Sequence, residues 1–540
     1  MNGVRPQLPR LSLLAAVVLA QLLAGACGLR AYPAVPVAPR LSCVPEIPGA
    51  ELKSVGEAAE KPPPTGALPE EAEALTSKEK VRASEGMMCR SGGWVGEAAD
   101  CLFREGPAKF LKKFGGFWNG TWRDKYNSVE TWTCPLSTKS LSNASRPHGH
   151  EGARFRIRRA MERLRKGHNI TIAILGPSMT LGTQTQRAWP VRLQDLFDRL
   201  NMSVRVHNLA RGGTTSAWAV ASFREIKAQL LEADIVMMDY GINDRSNTNK
   251  NPQQIVQQYR DLAKLVITLP NQPGIIDVQT FEETPLILAR STSEVQVEVP
   301  TNDCPAVDVR KYHHWGVNKD LNVPMLSYTE GVCHSNRTWW MNEFASTDSK
   351  GGPHPGVITH DLLARMALGF FLQELNHVCS HGVEGEDFAG GAQVKLGDHI
   401  QCLMQPTSAF NSINHSASFQ ASYQDEGAWN YGEDLPGKPS GWLAGRGIPQ
   451  AGNLGFNVTL KKGWIQLEYL GTYQKIGYVD VWLDDQRPTE HNGCAVDGLW
   501  ADHTSMSKFT LLKANVSPGN HTLWFRSNGG KFKLLSVTAC

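Results

Sequence analysis

Four short segments of the chain carry the residue types that acyl transfer requires. They are Gly-Pro-Ser178, Gly-Gly213, Gly-Ile-Asn243 and His354-Pro. Ser178 offers a hydroxyl nucleophile, a glycine at 213 lets the backbone approach an oxyanion closely, and Asn243 offers a side-chain amide donor. His354 offers an imidazole base near neutral pH. Together the segments predict a site for nucleophilic attack on a carbonyl group.

Each segment alone also has an ordinary structural role. A serine before a helix is commonly an N-cap, glycine and asparagine are common in turns, and a histidine can cap or pack. Their order favours catalysis, because the first three segments each follow a predicted strand and the fourth precedes the last predicted helix.

Short apolar runs that alternate with helical patterns must position these segments. The predicted strands are Ile170–Leu175, Val204–Leu209, Ile235–Asp239, Gly274–Phe281 and Val323–Tyr328. The predicted helices are Arg154–Lys166, Trp189–Leu200, Ser216–Ala233, Pro252–Leu269, Val309–Leu321 and an amphipathic Leu362–Leu375. This alternation predicts an α/β fold whose parallel sheet is covered on both faces, with the ligand beyond the carboxyl ends of the strands.

The order of the blocks resembles that of the SGNH, or GDSL-like, serine hydrolase family, over residues 169–375. The blocks stand here as Leu175-Gly-Pro-Ser178, Asn208-Leu-Ala-Arg-Gly-Gly213, Gly241-Ile-Asn243-Asp and His354-Pro. The resemblance implies that Ser178 is the nucleophile and His354 the general base. It also implies an oxyanion hole formed by the Ser178 N–H, the Gly213 N–H and the Asn243 amide. The implied fold is a three-layer sandwich around a central parallel sheet, and the implied activity is carboxylic ester hydrolysis.

Two positions depart from the family pattern. The first block has Gly-Pro-Ser where Gly-Asp-Ser is usual, at a position with no direct chemical role. The family usually places the triad aspartate three residues before the histidine, but position 351 is glycine. Asp348 is the nearest upstream acid, and a loop rich in glycine would let it return to His354. The alternatives are therefore a Ser178–His354–Asp348 triad and a dyad whose imidazole is oriented by a backbone carbonyl.

The N-terminus has the pattern of an export signal. Arg5 and Arg10 precede an uncharged stretch, Leu11–Leu29, that contains the small residues Ala24-Gly-Ala. A cleaved signal peptide and an uncleaved signal anchor both fit, because the stretch approaches the length that crosses a bilayer. The expected location is therefore extracellular or cell wall, with the Golgi or ER lumen as the alternative.

Cysteines and glycosylation sequons support a secretory pathway. Apart from Cys27 at the signal boundary, the cysteine count is even, which predicts a disulfide framework in an oxidising compartment. Cys304 with Cys333 and Cys494 with Cys540 are the expected local pairs. Nine Asn-x-Ser/Thr sequons predict N-glycosylation, at Asn119, Asn143, Asn169, Asn201, Asn336, Asn414, Asn457, Asn515 and Asn520.

Composition and periodicity predict several modules in 540 residues. They are a signal peptide or anchor at 1–29, a Pro-rich stem at 30–85, a cap with cysteines and aromatics at 86–165, the SGNH domain at 166–380, a linker at 381–425 and a C-terminal all-β sandwich at 426–540. The sandwich resembles carbohydrate-binding accessory modules. Its tryptophans could include a sugar-stacking platform, although burial in the core is the expected fate of any one.

These observations favour a secreted serine esterase that hydrolyses O-acyl esters, with O-acetyl groups on polysaccharide or glycoconjugate as the expected substrate. The alternatives are a catalytically inactive glycan-binding or matrix protein, which the missing acid at 351 would support, and an acyltransferase or lipid esterase. The net charge of +3 argues against nucleic acid as a partner, and no membrane contact beyond an N-terminal anchor is expected. His148, His150, His313 and His314 lack neighbours at ligand spacing, so no metal is predicted, and no motif implies a cofactor.

Overall fold

The structure, a computed structural model, describes residues 40–43, 136–182, 188–247, 252–280, 309–332, 357–388, 394–411, 419–436, 438–445, 451–473, 475–484, 493–499, 505–527 and 530–540. All of these residues belong to one unit, Arg40–Cys540. Within the described residues, no helix is both long and apolar enough to cross a membrane.

A five-stranded parallel sheet forms the first half of the described chain. Its strands are β2 (Ile170–Leu175), β3 (Val204–Asn208), β4 (Ile235–Met238), β5 (Gly274–Gln279) and β6 (Met325–Ser327). They lie in the order β3-β2-β4-β5-β6, and each neighbouring pair is parallel. The chain runs from β2 to β3 on one side of β2 and then crosses to β4 on its other side. The direction of strand addition therefore reverses at β2, and a crevice for ligand forms at such a switch point.

Helices cover both faces of this sheet. In chain order they are α1 (Thr138–Ser145), α2 (Phe155–Arg165), α3 (Ser178–Leu181), α4 (Trp189–Arg199), α5 (Ser216–Ala221), α6 (Phe223–Leu231), α7 (Gly241–Asn247), α8 (Pro252–Ile267), α9 (His313–Leu321), α10 (Tyr328–Val332) and α11 (Val357–His381). One core lies between the sheet and α1, α2, α4 and α11, and a second lies between the sheet and α5, α6, α8 and α9. The predicted α/β fold is therefore confirmed.

Two predicted helices differ in their bounds from the structure. The segment predicted as one helix over Ser216–Ala233 forms α5 and α6, which are separated at Ser222. The segment over Val309–Leu321 begins with a 3-10 turn at Val309–Lys311 before α9 starts.

The prediction of an amphipathic helix at Leu362–Leu375 is wrong in its pattern of burial. Every residue from 360 to 372 in α11 is buried. The charged residues that suggested a solvent-exposed face form buried ion pairs. Arg365 Nε lies 2.9 Å from Asp361 Oδ2, and Arg158 Nε lies 2.7 Å from Glu374 Oε2. Because α11 packs against α1, α2, α4 and β6, it has no solvent face over this stretch.

Two antiparallel sheets form the C-terminal part of the chain. Their strands are β1 (Arg40–Cys43), β7 (Ser408–Asn411), β8 (Tyr423–Gln424), β9 (Trp429–Gly432), β10 (Gly441–Ala444), β11 (Asn453–Leu460), β12 (Trp464–Gly471), β13 (Tyr478–Leu483), β14 (Gly493–Asp497), β15 (Met506–Asn515), β16 (Gly519–Ser527) and β17 (Phe532–Ala539). The seven-stranded sheet has the order β1-β15-β12-β17-β10-β9, with β7 paired to β17, and the five-stranded sheet has the order β14-β13-β16-β11-β8. A core of alternating apolar residues lies between the sheets, which confirms the predicted β-sandwich.

Some of its elements come from segments for which we predicted a linker or a stem. Helix α12 (Asp398–Met404), β7 and β8 lie within the predicted linker at 381–425. Strand β1 lies within the predicted stem and pairs with β15. Short strands like β8 carry too few residues for periodicity to reveal them.

The expected pairing of Cys494 with Cys540 is wrong. Cys540 forms a disulfide with Cys402 of α12, with 5.7 Å between the α-carbons, and Cys494 is bonded to another cysteine. Cys494 lies on β14 in the five-stranded sheet, whereas Cys540 follows β17 in the other sheet, next to α12. Cys304 and Cys333 lie outside the described residues.

The tryptophans of the sandwich are mostly buried. Trp429 and Trp442 belong to its core, where their indole N–H groups donate to backbone carbonyls. Trp482 and Trp524 lie on the outer face of the five-stranded sheet, stacked with centroids 6.3 Å apart, and are 0% and 7% exposed. Trp464 is half-buried.

Most of the described sequons are accessible. Asn143 is half-buried in α1, and the other described sequon asparagines are exposed: Asn169, Asn201, Asn457, Asn515 and Asn520. Asn119, Asn336 and Asn414 lie outside the described residues. N-glycosylation stays a prediction.

Candidate active site

A tight turn at the end of β2 presents Ser178. The chain leaves the sheet at Leu175, and Ser178 begins α3 two residues after Gly176. A β-carbon on Gly176 would stand 2.1 Å from Thr180 Oγ1 and 3.0 Å from the Asp239 carbonyl oxygen. Only glycine fits there, and the turn leaves Ser178 half-buried at the carboxyl edge of the sheet.

A buried carboxylate forms hydrogen bonds that hold this turn in place. Asp239, which follows β4, accepts hydrogen bonds from Thr180 Oγ1 at 2.7 Å, Thr280 Oγ1 at 3.1 Å and Trp189 Nε1 at 3.3 Å. Burial raises the pKa of Asp239 to about 6, although the three donors oppose that rise. Because Thr180 belongs to the same short helix as Ser178, Asp239 fixes the orientation of the helix that carries Ser178.

The loop after β3 lies against the turn that carries Ser178. Arg211 N–H donates to the Gly176 carbonyl at 2.9 Å, and Asn208 Nδ2 donates to the Thr180 carbonyl at 2.9 Å. A β-carbon on Gly212 would stand 3.8 Å from Ser178 Cβ. We call residues 211–214 the oxyanion loop, and these contacts place it directly beside Ser178.

Gly213 has a backbone conformation that suits glycine. Its φ is 72°, in the left-handed region. Within the described ranges, no acceptor is recorded for the Gly213 N–H, so this donor is available to a ligand. Thr214 Oγ1 donates to the Arg211 carbonyl at 2.7 Å, which closes the loop on itself.

Asn243 lies in the first turn of α7, which follows β4. Its Nδ2 donates to the Thr214 carbonyl at 2.7 Å, which ties it to the oxyanion loop. A side-chain amide carries two N–H donors, so one remains for an oxyanion. The next residue, Asp244, accepts a hydrogen bond from Ser216 N–H at 2.9 Å, at the start of α5. Asn243 and Asp244, two adjacent residues of α7, thus hold the two ends of the segment that runs from Thr214 to Ser216.

A buried histidine completes this arrangement from the core. His314 of α9 is 0% exposed; its Nε2 lies 2.8 Å from Asp244 Oδ2, and its Nδ1 lies 3.3 Å from Asp277 Oδ1. Its ring stacks on Tyr259 with centroids 3.5 Å apart, and Asn318 Nδ2 donates to Asp277 at 2.6 Å. His314 therefore stabilises the carboxylate next to Asn243.

Charge is concentrated in this network. Burial alone would lower the pKa of His314, but Asp277 and Asp244 outweigh burial and raise it to about 10. His314 is then an imidazolium at neutral pH, and it balances the two carboxylates in the core.

The carboxyl ends of β2, β3 and β4 thus bring Ser178, Gly213 and Asn243 together. This arrangement can present a hydroxyl and amide donors to one carbonyl group. The sequence matches no protein-family model and no curated protein.

Solved structures of esterases are similar to the chain. One is a two-domain esterase (CEX) active on acetylated mannans and co-crystallised with mannopentaose; it is 17% identical, covers 74% of this chain and 97% of its own, and has a TM-score of 0.48. A variant of Axe2, an acetyl xylan esterase from Geobacillus stearothermophilus, is 18% identical over 38% of this chain and 94% of its own, with a TM-score of 0.27. A lipase/acylhydrolase from Enterococcus faecalis is 16% identical over 37% of this chain and 93% of its own, with a TM-score of 0.27.

The other residues that the sequence singled out are either undescribed or contact groups outside this arrangement. His354 and Asp348 lie outside the described residues. Among the side chains that are described, no group of three His, Cys, Asp or Glu residues is arranged so that it could hold a metal ion. His150 Nε2 lies 2.9 Å from the Val323 carbonyl, and His148 lies 3.3 Å from Glu330.

The buried residues that support the site were not predicted from the sequence. Asp239 was assigned only to the end of a strand, and His314 was considered only as a metal ligand. A signal existed in the chain, because His314 and Asn318 are four residues apart and therefore share one face of a helix. Their partners Asp244 and Asp277 are distant in sequence, so only the fold shows the network.

Proposed function

We propose that this chain is a serine ester hydrolase in which Ser178 attacks the carbonyl carbon of an O-acyl ester. The observation that carries the proposal is the contact of the oxyanion loop with Ser178, with Asn243 bonded to the same loop. The Ser178 N–H, the Gly213 N–H and the free Asn243 amide hydrogen would stabilise the oxyanion of the tetrahedral intermediate.

In this mechanism His354 takes the Ser178 proton as the hydroxyl oxygen attacks. The same imidazole gives that proton to the leaving alcohol, and the acyl group remains on Ser178. Water then attacks the acyl-enzyme with His354 as base, which releases the acid and restores the serine. Asp348 would orient the His354 ring and stabilise the imidazolium.

Hydrolysis of p-nitrophenyl acetate by the wild type and by Ser178→Ala tests this proposal. We expect Ser178→Ala to lose at least a thousandfold in kcat while remaining folded. Asn243→Ala removes one oxyanion donor and should lower kcat about a hundredfold. Full activity in Ser178→Ala would reject Ser178 as the nucleophile.

The role of Asp348 has its own test. Asp348→Asn should lower kcat strongly with KM little changed, because the imidazole would lose its anionic partner. Turnover within about threefold of the wild type would favour a dyad in which a backbone carbonyl orients His354.

We further propose that the natural substrates are O-acetyl groups on a polysaccharide or glycoconjugate and that the protein acts outside the cytosol. The export signal, the sequons and the sandwich domain support this proposal. Release of acetate from acetylated mannan and acetylated xylan, against deacetylated controls, tests the substrate class. A mass shift on treatment with peptide N-glycosidase tests the secretory route. Binding of these glycans without any acetate release would favour the inactive glycan-binding alternative.

A further inference from the structure

The β-sandwich contacts the oxyanion loop directly. Ser507 N–H of β15 donates to the Gly213 carbonyl at 3.2 Å. A β-carbon on Gly213 would stand 3.5 Å from the Ser505 carbonyl oxygen and 3.9 Å from Met506 Cα, so the strand packs against this residue. The sandwich therefore meets the hydrolase part at the residue whose N–H is a candidate oxyanion donor.

Packing next to this hydrogen bond strengthens the contact. Phe509 is 8% exposed and belongs to the same apolar cluster as Ala217 and Trp218 of α5. Helix α5 begins at Ser216, directly after the oxyanion loop. The Phe509 ring thus holds the helix that receives the end of the loop.

A buried carboxylate lies at the same interface. Glu468 is directly opposite Phe509 on β12, and it points away from the sandwich core, to which its neighbours Leu467 and Tyr469 belong. Burial raises the pKa of Glu468, whereas the Ser507 and Ser536 hydroxyls and the charge of Arg211 lower it. Arg211 is the first residue of the oxyanion loop, so a charge attraction also joins the two parts.

On the basis of the proposed function, we propose that β15 is a positioning element for the oxyanion loop. The Ser507 N–H fixes the Gly213 carbonyl, and this restrains the φ and ψ angles of Gly213 and hence the direction of its N–H. The sandwich then contributes to turnover of every ester, including one too small to contact a glycan-binding surface.

Ser507→Pro removes the hydrogen bond and also displaces its acceptor, because the proline Cδ occupies the place of the amide hydrogen. Proline has no N–H, and the Ser507 N–H points to Gly213 rather than to β12, so the change should leave the β12–β15 ladder intact. For p-nitrophenyl acetate we expect kcat to fall at least tenfold with KM within about twofold of the wild type. Affinity for phenylboronic acid, which forms a tetrahedral adduct with an active-site serine, should fall in parallel with kcat.

Ser507→Ala is the matched control, because it removes the hydroxyl and retains the backbone N–H. Its loss of kcat should be much smaller than that of Ser507→Pro. Equal losses in the two variants would overturn the proposal, as would wild-type kcat in a folded Ser507→Pro.

A second variant covers the case in which proline prevents folding. Phe509→Ala should lower kcat for p-nitrophenyl acetate at least fivefold with KM unchanged and with the unfolding transition still cooperative. If Phe509→Ala affected only KM for acetylated polysaccharide, the sandwich would be a binding module and the proposal would be wrong. Different outcomes would reject the proposed function: no hydrolysis of the ester by the wild type, or hydrolysis by Ser178→Ala.

Discussion

Replacing His314 by glutamine tests whether a buried imidazolium stabilises the core next to Asp244 and Asn243. Asp244 and Asp277 raise the pKa of His314 from 6.5 to about 10. Since one pKa unit is worth about 1.4 kcal/mol, the free energy of unfolding gains about 5 kcal/mol well below pH 6.5 and about 4 kcal/mol at pH 7. Removing one partner of a buried ion pair typically costs about 3–5 kcal/mol, because the other charge is left uncompensated. We therefore expect His314→Gln to lose about 3–5 kcal/mol at pH 7.

The effect of pH has a definite sign. A basic group with a raised pKa in the folded state contributes its full stabilisation below pH 6.5, and this contribution falls as the pH rises toward 10. Between pH 7 and pH 9 the contribution of His314 should fall by about 3 kcal/mol. Without this group, His314→Gln should lose less stability over the same interval than the wild type.

Denaturant unfolding of the disulfide-intact chain, followed at several pH values from 6 to 9, measures this difference. His521→Gln is a matched control, because His521 Nδ1 lies 2.6 Å from Asp484 but this aspartate is 41% exposed. Because solvent reaches the aspartate of this pair, the pair should contribute at most about 1 kcal/mol, so this control should change little.

One result would refute the reasoning. The amide nitrogen of Gln279 lies 2.8 Å from His314 Nδ1, so a neutral imidazole could accept a hydrogen bond there. In that case the stability difference between the wild type and His314→Gln would be the same at pH 7 and at pH 9.

Three further outcomes follow from the structure. Gly176→Ala places a β-carbon 2.1 Å from Thr180 Oγ1, and it should cost about 1–3 kcal/mol in thermal unfolding and lower kcat at least tenfold. Gly316→Ala is its control: a β-carbon there meets nothing within 4 Å in helix α9, so stability should rise by up to about 1 kcal/mol with activity unchanged. Cys540→Ser opens the disulfide to Cys402, 138 residues away, and should lower the free energy of unfolding by about 2–5 kcal/mol in calorimetry. Unchanged melting of Cys540→Ser under oxidising conditions would contradict this expectation.

The parallel sheet was predictable because short apolar runs alternate with helical patterns along this part of the chain. The same runs placed Ser178, Gly213 and Asn243 at one edge, since the carboxyl ends of parallel strands lie together. Burial of α11 was not predictable, because Arg365 and Glu374 look like solvent-facing residues until their partners are known.

Contacts between distant segments explain the other differences. The bond between Ser507 and Gly213 joins residues almost 300 positions apart through backbone atoms, which leave no trace in side-chain patterns. Cys540 was assigned to its nearest cysteine, whereas sheet topology brings it to α12. The two-residue strand β8 is shorter than any period that could reveal it.

The ion pairs of Glu374 have a consequence for how the chain folds during synthesis. Arg154 and Arg158 are almost fully buried, and their shared partner Glu374 comes 220 and 216 residues later. Until the ribosome has released α11, the two positive charges at the start of α2 would have only Glu151 as a counter-ion, and this carboxylate is 45% exposed. The parallel sheet is therefore expected to close late, with apolar strands exposed meanwhile, and nascent chains that end before α11 should depend on chaperones.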